Sequence, residues 1–136
     1  MKTSLKIFPI LIALGAGLGA AFGQAQVQSR QIVGIAGYLS EWELQGAVTE
    51  KISAGRREFS GPVTWKHIGL CSVNGPQEKR GEIRVQIEGS GPASRVDATM
   101  SLENVQCTYS GHFSDDTKGV MDCSDAKGVP LTFSFK

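Results

Sequence analysis

The stretch from Glu82 to Leu102 constrains the fold more than any other. Ile83, Val85 and Ile87 alternate with Glu82, Arg84, Gln86 and Glu88. After Gly89-Ser90-Gly91-Pro92 a second run sets Val96, Ala98, Met100 and Leu102 against Arg95, Asp97, Thr99 and Ser101. A period of two places one set on each face of a strand. Two such runs joined by a Gly/Ser/Pro turn read as a hairpin with one dry and one charged face. Alternation this clean belongs to antiparallel sheet and argues against a parallel α/β fold, whose strands are apolar on both faces.

The same period recurs along the chain. Residues 59–71 read as a central strand, with Phe59, Gly61, Val63, Trp65, His67, Gly69 and Cys71 of one parity. Before it, Tyr38, Trp42, Leu44, Gly46 and Val48 share a parity, and residues 51–58 read as an exposed connection. After the hairpin, Val105, Cys107, Tyr109, Gly111 and Phe113 form a strand, residues 120–124 a short one, and Val129, Leu131, Phe133 and Phe135 the last. Residues 74–81 and 114–119 read as surface loops from their Asn, Gly, Pro, Asp and Ser content. No window of the exported part has helical periodicity. The expected fold is all-β: a single small antiparallel sandwich or up-and-down barrel of about seven strands. Gly37 with Trp42 and Leu44 resembles, loosely, the Gly and Trp that open the first strand of lipocalin and metalloprotease-inhibitor barrels. The spacing departs from their Gly-x-Trp form, and no family follows from it.

The N-terminus reads as an export signal. Lys2 and Lys6 form a basic start, residues 7–21 an apolar run, and Ala21-Phe22-Gly23 a small-x-small cleavage site. The expected organisation is a signal peptide over 1–23, a flexible Gln-rich leader over 24–36 and a β domain over 37–136. The apolar run is short and broken by Pro9 and glycines, so a stable membrane anchor is not expected. Removing Lys2 and Lys6 from the 14 basic residues leaves 12 against 13 acidic ones, a formal charge of −1. Nucleic-acid partners call for a basic excess or stripe, and neither is present.

All three cysteines, Cys71, Cys107 and Cys123, lie in the exported part, where disulfides form by default. No C-x-x-C spacing points to zinc or thiol exchange. A hairpin folded about residue 115 sets Cys107 opposite Cys123, so these two are expected to bond, leaving Cys71 free and buried. A bridge from Cys71 to Cys107 or to Cys123 is the alternative.

Catalytic constellations are sparse. His67 and His112 are the only histidines, and no Gly-x-Ser-x-Gly is present. His67 falls on an apolar parity, where packing is the ordinary role. Asp115, Asp116, Asp122 and Asp125 gather near the last turns without the Asp-x-Asp-x-Asp-Gly order of a calcium loop. Neither a metal nor a cofactor is expected.

The reading that follows is an exported, non-enzymatic β-domain, periplasmic or extracellular, acting as an interaction or inhibitor module toward a protein partner. Its candidate binding residues are Trp42, Trp65, His67, Asn74, Glu78, Lys79, Arg80, Asp115 and Asp116, drawn from exposed loops and from aromatics that could line a cavity. The alternatives are a barrel that binds a small apolar ligand and a small hydrolase using His67.

Overall fold

The computed structural model describes residues 26–69, 75–89, 91, 94–113 and 117–136. Eight strands, β1 (Gln26–Ala36), β2 (Trp42–Ser53), β3 (Arg56–His67), β4 (Glu78–Glu88), β5 (Arg95–Leu102), β6 (Val105–His112), β7 (Thr117–Cys123) and β8 (Val129–Phe135), follow one another in order. They close into an antiparallel barrel in which β8 pairs with β1. Closure removes the sheet edges that a sandwich would leave open.

Alternation does the work the sequence assigned to it. Ile83, Val85 and Ile87 on β4 and Val96, Ala98, Met100 and Leu102 on β5 are buried inside, and the two strands pair with Ile83 opposite Met100. Leu44 and Val48 on β2, Phe59, Val63 and Trp65 on β3, Cys107 and Tyr109 on β6 and Leu131 and Phe133 on β8 complete the filling. An eight-stranded barrel encloses about the volume such side chains occupy, so the interior is a packed core. Charged residues face outward in exposed pairs such as Arg84–Glu58 at 3.0 Å and Arg56–Glu88 at 2.7 Å. Pairs of this kind contribute roughly 0–1 kcal/mol each and mainly keep the outer face wet.

Several expectations need correction. The leader expected over 24–36 is a strand from Gln26 onward, and it is the eighth strand beyond the seven expected. Its inward positions are Gln28, Arg30, Ile32, Gly34 and Ala36, only two of which are apolar side chains, so the alternation is faint. Long-range pairing with β2 and β8 holds it instead. Regular structure thus begins well before Tyr38, which lies exposed in the β1–β2 loop with its hydroxyl donating to the Lys127 carbonyl.

The connection expected over 51–58 is only two residues long. Ala54 and Gly55, with φ of 49° and 74°, make the tight hairpin turn with positive φ at both central positions that matches strand twist. The loop expected over 74–81 ends at Gln77, because Glu78, Lys79 and Arg80 pair with Lys66, Trp65 and Thr64 as the start of β4. Likewise Thr117 to Gly119, expected in a turn, open β7. In both cases charged or small residues at a strand end imitate loop composition. The central strand stops at His67, and Cys71 lies outside the described residues.

Candidate functional site at the barrel mouth

The end of the barrel that carries the β1–β2, β3–β4, β5–β6 and β7–β8 connections holds a cavity of about 190 Å³. Its wall is built from inward residues near this end of every strand. Ala36 comes from β1, Trp42 from β2, Trp65 from β3, Lys79 from β4, Leu102 from β5 and Met121 from β7. Each is there because the inward parity of its strand continues to the rim.

The disulfide forms one side. Cys107 and Cys123 stand opposite each other in the β6–β7 register and are bonded, as the hairpin about residue 115 predicted. A covalent cross-link at this point fixes the spacing of two strands on which the cavity depends. Both half-cystines line the cavity itself.

Two tryptophans set its chemistry. Trp65 is 2% exposed and its indole Nε1, a donor only, finds no acceptor among the described residues. A buried N–H without a partner costs about 1–3 kcal/mol, so this one is a standing demand for an acceptor. Trp42 is half-buried at the rim, where His67 meets it edge to face at 4.8 Å. The Lys79 ammonium stands 5.0 Å from the Trp42 ring centroid, within cation–π range. The wall is otherwise mostly apolar, with Glu41 and Asp125 at its margin.

The structure therefore brings together Trp42, Trp65, Lys79, Cys107 and Cys123, and places His67 beside Trp42. Glu78 and Arg80 are exposed on the outward parity of β4, away from the cavity. Asn74, Asp115 and Asp116 lie outside the described residues. Among the described residues no group of three or more His, Cys, Asp or Glu side chains is placed to hold a metal.

No family model matches the chain, and neither a curated protein nor a solved structure matches it.

Sequence reasoning missed two features. The contributions of Leu102 and Met121 to the cavity were visible as inward parity, but which strand end they share depends on barrel closure. The cluster of Arg30, Glu50 and Arg57 at the opposite end went unnoticed. Its signal was present: Glu50 has the parity of Leu44 and Val48, an acidic residue in an apolar series.

Proposed function

We propose that the protein is an exported, non-enzymatic β-barrel whose mouth binds a small apolar molecule carrying one hydrogen-bond acceptor, such as a carbonyl. The observation that carries this reading is that Trp65, whose indole N–H is buried without a partner among the described residues, lines a mostly apolar cavity. A ligand acceptor would satisfy the indole while its body displaces poorly held water from the apolar wall. The Cys107–Cys123 disulfide is compatible with an oxidising, exported compartment. The contact of His67 with Trp42 is packing, so it lends no support to a hydrolase built on that histidine.

Trp42 and Trp65 are the only two tryptophans, so intrinsic fluorescence reports on the cavity without background. Titration with cyclohexanone is expected to shift the emission saturably, and Trp65→Phe, which removes the N–H and keeps an aromatic body, to weaken that binding while leaving methylcyclohexane unaffected. Native mass spectrometry of freshly isolated protein is expected to show added mass of one small molecule. Unchanged emission together with an unliganded mass would overturn the reading.

One observation favours a second reading, the interaction or inhibitor module. At about 190 Å³ the cavity is smaller than the roughly 300–1,000 Å³ of typical small-molecule sites, and nearer to the size of a single large side chain. An apolar side chain of a protein partner inserted beside Trp42 would act as a central anchor of an interface. Co-purification of a protein partner that Trp42→Ala abolishes would favour this reading over a free ligand.

A further inference from the structure

The opposite end of the barrel carries a second cavity, of about 240 Å³, lined by Arg30, Arg57, Phe59, Phe113, Thr117 and Phe135 together with Ser134. Three charged side chains converge there on the inward face. Glu50 of β2 is 2% exposed, and its two neighbours in the sheet, β1 and β3, each send an arginine to it. Arg30 Nε donates to Oε2 at 2.9 Å, while Arg57 Nε and Nη2 donate to Oε1 at 3.0 and 2.9 Å.

Stability alone does not account for this arrangement. Charges at the margin of an apolar core lose hydration, and well-packed apolar residues in their place commonly match or exceed the stability of a buried ion cluster. The cluster is also unbalanced, with two guanidiniums facing one carboxylate, and its excess of one positive charge borders the cavity.

The donors point the same way. Arg30 spends Nε on Glu50 and reaches Gln28 weakly through Nη2 at 3.4 Å; Nη1 of Arg30 and of Arg57 bond to no described residue. Meanwhile the aromatic walls hold Arg57 in place, its guanidinium carbon lying 5.3 Å from the Phe59 centroid and 5.9 Å from that of Phe113. Phe59 stacks on Phe135 at 3.9 Å, giving the cavity a flat apolar floor. Both arginines remain partly exposed, at 42% and 38%, so they are reachable from solvent.

We propose that this end of the barrel is a second binding site, for a small monocarboxylate with an aromatic or aliphatic body. A planar carboxylate matches the guanidinium fork in both shape and charge. Glu50 is the positioning residue: it fixes both forks and leaves a net charge suited to a monoanion, whereas a phosphate dianion would meet its repulsion. The apolar body packs on Phe113 and Phe135.

The test is an amide NMR titration of the mature protein with benzoate, methyl benzoate and inorganic phosphate at constant ionic strength. Benzoate is expected to bind saturably in the millimolar range, moving the amides of Arg57, Phe113, Thr117 and Phe135 and sparing the Trp42 and Trp65 indole signals. Methyl benzoate, which keeps the body and lacks the charge, is expected to leave those four amides unmoved, and phosphate to bind at least tenfold more weakly than benzoate. Arg30→Gln keeps the two-bond Arg57–Glu50 pair and removes the net charge, so it is expected to weaken benzoate at least tenfold. Absence of saturable shifts at this end, equal response to methyl benzoate, or phosphate binding as tight as benzoate overturns the proposal. The three ligands make that comparison on the unaltered chain, so it stands even where a variant fails to fold.

Discussion

Replacing Tyr109 by Phe is expected to stabilise the protein, against the usual direction of a core tyrosine truncation. Tyr109 is 2% exposed on the inward face of β6, and its ring meets Phe133 edge to face at 5.5 Å. The ring lies over two residues without side chains: a methyl group on Gly119 would come within 2.7 Å of the Tyr109 hydroxyl oxygen, and one on Gly111 within 2.5 Å. The same position buries the hydroxyl, which has no partner among the described residues. An unsatisfied buried hydroxyl costs about 1–3 kcal/mol, while phenylalanine keeps the ring and its contacts. After allowance for the small void left by the oxygen, Tyr109→Phe should gain about 1 kcal/mol, or about 4 °C in Tm for a domain of this size. Tyr109→Ala, which empties the site, should lose about 3–5 kcal/mol. Urea unfolding with an unchanged m value measures both. Burial also pushes the Tyr109 hydroxyl above its ordinary pKa of about 10. The folded state then holds its proton longer than the unfolded chain, so wild-type stability falls as pH rises past about 10, and that part of the alkaline loss should vanish in Tyr109→Phe. A phenylalanine variant less stable than wild type by about 0.5 kcal/mol or more would show the hydroxyl to be bonded and refute the reasoning.

Three further outcomes are expected. Replacing Cys107 and Cys123 together by Ala should cost about 3 kcal/mol by the chain-entropy estimate for a bridge spanning 16 residues, read as a drop in urea midpoint. Glu50 is raised by burial but lowered further by the hydrogen bonds and charges of Arg30 and Arg57, ending below the usual carboxylate range. Its contribution is therefore present above the unfolded value of about 4.3 and lost as pH falls through the folded one, so Glu50→Gln should flatten the acid limb of a stability–pH curve; an unchanged limb would contradict this. A methyl group on Gly81 would lie 1.8 Å from the Ser101 carbonyl oxygen, so Gly81→Ala should force β4 from β5 and cost about 1–3 kcal/mol in the same unfolding assay.

What the sequence disclosed follows the physics of a half-solvated sheet. The β4–β5 hairpin and the Cys107–Cys123 pairing are local, set by parity and a short turn, and they were legible. Strand β1 was not, because its inward residues include Gln28, Arg30 and Gly34, and its order comes from partners 6 to 26 residues away on β2 and 95 to 103 residues away on β8. Lys79 shows the same limit from the other side. In sequence it sits in a charged triplet that resembles a loop tip, while in the barrel its inward parity brings it over Trp42. The candidate tryptophans were legible as individual residues on apolar parities. Their convergence with Leu102 and Met121 was not, since only closure of the barrel puts the ends of all eight strands around one space.

The packed interior decides how the two ends relate. Arg57 and Trp65 lie on one strand eight residues apart, which is roughly 26 Å along the strand and, at a tilt of about 40°, about 20 Å along the barrel axis. Between them the lumen is filled by Phe59, Val85, Met100, Tyr109 and Phe133, all 2% exposed or less, so no ligand passes from one cavity to the other. Perturbations this far apart with no shared partner add within about 0.3–0.5 kcal/mol. Arg30→Gln and Trp65→Phe combined should therefore change stability by the sum of their separate effects, and benzoate affinity should be the same in Trp65→Phe as in wild type. A coupling clearly beyond that range would mean that the core shifts between two arrangements. The two cavities would then be parts of one switch, and not independent sites held apart by a rigid barrel.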